Sequence, residues 1–162
     1  MSAGKFRLRS PAFEDGKVIP TKYAHQGVVG ARNVSVPLKW ENAPAETKSV
    51  ALACVDLHPI ANNWVHWLIM SIPKDASELA EGASLTGNMP RGSKELNNTF
   101  GNPGYGGPQP PRVSGPHKYE FTLYALNVEK LDISATTSLS AFLRAIEGKV
   151  LASAKIVGIF EQ

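Results

Sequence analysis

The stretch "GYGGPQPPRVSGPHKYEFTLYAL", residues 104–126, changes character half-way. Its glycines and prolines exclude a helix or a central strand up to Pro116. From His117 the residues alternate: Tyr119, Phe121, Leu123 and Ala125 fall on one face, Lys118, Glu120, Thr122 and Tyr124 on the other. That period of two predicts a strand packed on a core. A long stiff loop thus runs directly into a histidine, a tyrosine and a buried strand.

Working outward, "SVALACVDL" (49–57) and "VHWLIMSI" (65–72) are nearly continuous apolar runs. Such runs predict central strands covered on both faces. "KFRLR" (5–9) alternates as an edge strand would, and "VIPTKYA" (18–24) is read as a strand after a turn at Glu14–Gly16. "VSVPLKW" (34–40) contains Pro37, which predicts an edge strand or an irregular lead into one. Helical spacing is confined to the end, where Leu139, Phe142, Leu143 and Ile146 recur with Ser138 or Ser140 as a cap and Gly148 as a stop. "VLASAKIVGIF" (150–160) is read as a second short helix running into a last strand, and residues 74–103 as mostly loop. The expected fold is mostly β: an antiparallel two-sheet β-sandwich with a small C-terminal helical part, as one domain over residues 1–162.

A chain of 162 residues is long enough to bury a core without staples. Its single cysteine, Cys54, lies in an apolar run and reads as a core residue. No apolar leader and no membrane-length apolar window occurs, so a cytoplasmic protein is expected. Net charge is +3, but the basic residues are scattered and not interleaved with aromatics. Nucleic acid is therefore not an expected partner, while a small anion is.

Candidate chemistry gathers at strand ends. Asp56 closes one apolar strand, with His58 two residues on; His66 opens the next; His117 opens a third, followed by Tyr119. If these strands are neighbours with those ends together, they form a pocket with loop 101–116 as one wall. Gly106 and Gly107 would let the backbone approach a ligand and present N–H groups to it. Pro108, Pro110 and Pro111 would stiffen the wall. His66 and His117 would donate to an anion, Tyr119 would add a hydroxyl, and Asp56 would orient a histidine. If protonated histidines hold the anion, affinity falls as pH rises through roughly 6.5. An alternative is a metal-dependent hydrolase using Asp56, His58, His66 and His117, whose residue types suit zinc or iron. Serine hydrolysis lacks its G-x-S-x-G elbow, and "GNPGYGG" is no dinucleotide fingerprint. No cofactor is implied.

Three segments, "VSVPLKWENAPAETKSVAL", "VDLHPIANNWVHWLIMSIP" and the 104–126 run, resemble the phosphatidylethanolamine-binding proteins, in particular their bacterial and archaeal Raf-kinase-inhibitor-like branch. The resemblance covers roughly residues 30–162. It implies an antiparallel β-sandwich with one pocket for phosphate or a phospholipid headgroup, in a ligand-binding protein and not an enzyme. By motif it carries pocket roles to Asp56, His66, the Pro110–Pro111 pair, His117 and Tyr119. The family's D-P-D-x-P reads "D-L-H-P" here, so His58 stands for the second aspartate and the negative charge is reduced. That departure favours anions over ethanolamine-type cations. The resemblance further implies a possible protein partner to modulate and a homodimer, with the apolar "IVGIF" (156–160) a surface for packing between chains. Kinase inhibition belongs to eukaryotic members and is not carried over.

Overall fold

A computed structural model describes residues 4–162. Nine strands form two sheets. The smaller sheet joins β1 (Arg7–Arg9), β3 (Leu38–Glu41) and β6 (Glu78–Leu79), in the order β1-β3-β6. The larger contains β2 (Lys17–Val18), β4 (Ser49–Asp56), β5 (Val65–Pro73), β7 (Lys94–Glu95), β8 (His117–Leu126) and β9 (Val150–Phe160). Its order is β2-β9-β8-β4-β5-β7, antiparallel except where β2 meets β9. One helix, α1, spans Leu139–Ile146.

Every residue of β4 is buried, because both faces of the large sheet are covered. Val50, Leu52 and Cys54 face the core shared with Leu8, Leu38, Trp40 and Leu79 of the small sheet. Ala51 and Ala53 face a second cluster with Phe142 and Ile146 of α1. Covering on both faces is what erases the alternation in this strand's sequence. The helix begins where expected: Ser138 Oγ accepts from Ala141 N–H at 3.1 Å. Its buried stripe is Phe142 and Ile146, while Leu143 at the side is 40% exposed.

Three expectations change. "VLASAKIVGIF" is one continuous strand, β9, without a helix. Its small residues conceal a period of two, with Ala154, Ile156, Gly158 and Phe160 turned inward. Ile156 and Phe160 therefore belong to the core, while Val157 and Ile159 on the other face are half-buried. "VIPTKYA" is not a strand: β2 ends at Val18, and a 3-10 turn over Thr21–Tyr23 follows Pro20. Proline lacks the N–H that a ladder needs. β3 is the middle strand of its sheet, with Pro37 just outside the pairing, so the irregular lead-in is the correct half of that expectation.

Residues 74–103 are mostly loop, with only the two-residue strands β6 and β7. Glu95 holds this loop together. It accepts from Trp67 Nε1 at 2.9 Å, Ser84 Oγ at 2.6 Å and the Leu85 amide at 2.8 Å.

Candidate functional site

Antiparallel pairing places the end of β4 beside the starts of both its neighbours. Asp56 stands opposite Tyr119 of β8, and Val55 opposite Val65 of β5. Three distant segments thereby deliver Asp56, His66 and His117 to one end of the large sheet. A cavity of about 270 Å³ opens there, lined by these three with Ile60, Ala61, Trp64, Phe100, Gln109, Pro110 and Pro111. A larger depression of about 640 Å³ beside the start of α1 is lined by amides, hydroxyls and apolar groups, with no titratable side chain.

Asp56 is buried and fully engaged. Its Oδ2 lies 2.6 Å from His117 Nδ1, and its Oδ1 accepts from the His58 amide at 2.9 Å. The carboxylate thus orients a histidine and is not free to take a cationic headgroup. His117 Nε2 lies 2.9 Å from Ser114 Oγ, so both its ring nitrogens are occupied. His58 does not line the cavity. Its ring stacks on His117 at 3.9 Å and 9°, and its Nδ1 accepts from Ile60 N–H at 3.2 Å.

His66 Nδ1 lies 2.7 Å from the Gly106 carbonyl and donates to it. Burial pushes the His66 pKa down to about 4, against the smaller upward pulls of that carbonyl and of Asp56. The imidazole is therefore neutral near pH 7, with a bare lone pair on Nε2. For His66, discharge therefore falls well below the expected pH 6.5. The Tyr119 ring meets His66 edge-on at 5.0 Å. Tyr119 belongs to the core and does not line the cavity; its hydroxyl is buried without a hydrogen-bond partner, and burial together with the Asp56 charge drives its pKa up. The Trp64 indole N–H is unpartnered as well.

The glycine-proline wall has a different physical basis from the expected one. Gly107 N–H donates to Asn33 Oδ1 at 2.7 Å, and Gly106 N–H to the His66 carbonyl at 2.8 Å. Neither amide is presented to a ligand. A Cβ on Gly107 would lie 2.2 Å from Tyr23 O and 2.7 Å from the His25 nitrogen; on Gly106, 2.6 Å from the Phe100 ring. The glycines let the wall close onto residues 23–25 and Phe100. His25 N–H to Pro108 O at 2.9 Å and Tyr105 hydroxyl to Tyr23 O at 2.7 Å complete that junction. Gly106, Gly107 and Pro108 thus support the wall without lining the cavity; Gln109, Pro110 and Pro111 line it.

The metal alternative does not fit. Among the described residues no three of His, Cys, Asp and Glu are grouped to hold an ion. The reason is visible in the contacts: Asp56 and His117 bind each other, His66 turns its Nδ1 to a carbonyl, and His58 lies flat against His117.

The sequence model described as phosphatidylethanolamine-binding protein matches residues 9–161. The chain belongs to the phosphatidylethanolamine-binding protein family. It is 41% identical over 155 residues to a UPF0098 protein of Methanothermobacter thermautotrophicus, covering 96% of this chain and 98% of that one. The crystal structure of Escherichia coli YbcL, described as a new member of the mammalian PEBP family, superposes with a TM-score of 0.90 at 28% identity. That match covers 98% of this chain and 99% of YbcL. A relative named as a lipoprotein, LppC of Mycobacterium tuberculosis, is 33% identical over 99% of this chain and 74% of its own length. Family membership therefore does not fix a cytoplasmic location. Among the described residues, no helix is long and apolar enough to cross a membrane.

This family member's cavity contains residues that sequence reasoning passed over. Trp64 and Phe100 carry no titratable group to draw notice in the sequence, and Gln109 sits unremarked between prolines. His25, stacked on Phe100 at 4.4 Å, brings all four histidines of the chain around the site. Asn33 had one available signal, its position before the strand-leading "VSVP", but nothing in the sequence ties it to Gly107.

Proposed function

We propose that the cavity binds a small oxyanion, or the phosphate of a phosphorylated or phospholipid-headgroup ligand, and that the protein serves as a ligand-binding protein. The observation that supports this most is a mismatch of donors and acceptors. Trp64, on the cavity lining, has an indole N–H with no acceptor, while the one carboxylate at the site is already engaged by His117 and His58. Unpaired buried donors favour an acceptor-rich guest. A cavity of about 270 Å³ suits a group of a few heavy atoms.

His66 sets a condition on that guest. With Nδ1 donating to Gly106, Nε2 can only accept unless it gains a proton. An anion lacking protons must therefore draw one onto His66, whereas an acidic oxyanion brings its own. Calorimetric titration with sulfate and phosphate tests this. Sulfate carries a constant charge over this range, and its affinity should fall as pH rises from about 4 towards 7, because the empty site holds His66 at about 4. Phosphate near pH 6, mostly monoanionic, should bind more tightly than sulfate. No binding of either ion at millimolar concentration at pH 5 overturns the reading. A cytoplasmic location and modulation of a partner protein by the occupied site belong to the same proposal.

A further inference from the structure

Asp56, His117 and Ser114 form a hydrogen-bonded line. Asp56 Oδ2 is 2.6 Å from His117 Nδ1, and His117 Nε2 is 2.9 Å from Ser114 Oγ. A carboxylate at Nδ1 fixes the tautomer: the proton sits on Nδ1, and Nε2 offers its lone pair to the serine hydroxyl. The two inner members cannot turn. Asp56 and His117 are 4% and 1% exposed, the second carboxylate oxygen holds the His58 amide, and the His58 ring lies flat on His117. Ser114, by contrast, is half-buried and reachable from solvent.

The backbone around Ser114 is unusual. Its N–H closes a turn onto Pro111 O at 3.2 Å. Val113 before it has φ 60°, a left-handed conformation that a β-branched residue rarely adopts, and Gly115 after it has φ 84°. Among the described residues, the Gly115 N–H enters no backbone hydrogen bond. It is the amide that follows the serine, the position from which one oxyanion donor comes in many acyl-transfer sites. Ser114 Oγ also reaches Pro111 O at 2.5 Å, so its proton has two acceptors. Turning the hydroxyl hydrogen onto Nε2 moves no heavy atom.

We propose that Ser114 is a nucleophile for acyl transfer from small carboxylic esters, with His117 as its general base and Asp56 as the positioning residue. Ser114 Oγ attacks the ester carbonyl carbon while its proton passes to His117 Nε2. The tetrahedral adduct collapses, the ester C–O bond breaks, and the leaving alkoxide takes the proton from Nε2. A water then attacks the acyl-serine, giving its proton to Nε2. The Oγ–C bond breaks and Oγ recovers that proton. The net change is ester plus water to acid plus alcohol. The sequence carries no G-x-S-x-G elbow, and none is required, since the fold brings the three residues together from β4, β8 and the loop before it. This activity goes beyond the anion reading and needs only the Asp56–His117–Ser114 contacts; the sulfate titration tests the other reading separately.

The test is labelling of the intact folded chain with a fluorophosphonate, located by peptide mass spectrometry, together with p-nitrophenyl acetate turnover. The expected result is a single adduct on Ser114, absent in Ser114→Ala at an unchanged melting temperature. The labelling rate should fall at least roughly 100-fold in His117→Gln, the range for loss of a general base. Should that variant fail to fold, exposed serines such as Ser140 and Ser153 in the same wild-type sample provide the comparison. Labelling of Ser114 no faster than theirs, or no adduct on Ser114 at all, overturns the proposal.

Discussion

His66 shows how far a single residue's position decides its chemistry. In sequence it is a histidine before an aromatic, with an ordinary pKa of 6.5; in the fold it is buried and held at about 4. An unfolded chain takes up a proton there near pH 6.5, and the folded chain resists until about pH 4. The stability gained by keeping the ring neutral is therefore complete above pH 6.5 and lost progressively as pH falls to about 4. A shift of this size corresponds to roughly 3 kcal/mol at the acid end. His66→Gln, which keeps a donor for the Gly106 carbonyl, should flatten the decline of denaturant stability between pH 6.5 and 4 by about that amount. An unchanged slope in the variant would mean the ring is protonated in the folded protein. Residue type was thus legible in the sequence, and charge state was not, because burial and the choice of ring nitrogen depend on contacts from Gly106, forty positions away.

At the level of elements, what could be read depended on whether one face or two were covered. β8 alternates openly, β4 and β5 show continuous apolar runs, and all three were legible with nearly correct limits. β9 was half-concealed because alanine, serine and glycine give its period of two little contrast. The glycine-proline loop was recognised as a rigid wall, but the object it rigidly meets was not, since Asn33 and residues 23–25 have no local link to it. That junction makes a direct prediction. Gly107→Ala forces a Cβ to 2.2 Å from Tyr23 O, a backbone atom that no rotamer change can clear. The cost should be about 1–3 kcal/mol. Asn33→Ala leaves the Gly107 N–H without its acceptor, at a similar cost of about 1–3 kcal/mol. Amide exchange should quicken in residues 104–111 in both variants while the β4–β8 ladder stays protected. Uniform loss of protection would show that the wall is integral to the core.

For the whole molecule, the strand order β8-β4-β5 does two separable things. Its end gathers Asp56, His66 and His117, and its two faces bind the small sheet and α1. The helix packs on the face that carries Ala51 and Ala53, through Phe142, which is fully buried. None of the cavity-lining side chains belongs to that cluster. Removing the ring should therefore weaken the fold without disturbing the site. Phe142→Ala should cost about 3–5 kcal/mol in chemical denaturation, the range for emptying an aromatic-sized space in a core. Sulfate affinity at pH 5 and the rate of Ser114 labelling should each stay within about twofold of wild type at temperatures well below the melt, since a packing defect across the sheet leaves the register at Asp56–Tyr119 intact. A loss of either alongside stability would place α1 in control of the strand ends. The sheet would then act as one coupled layer from Phe142 to Asp56.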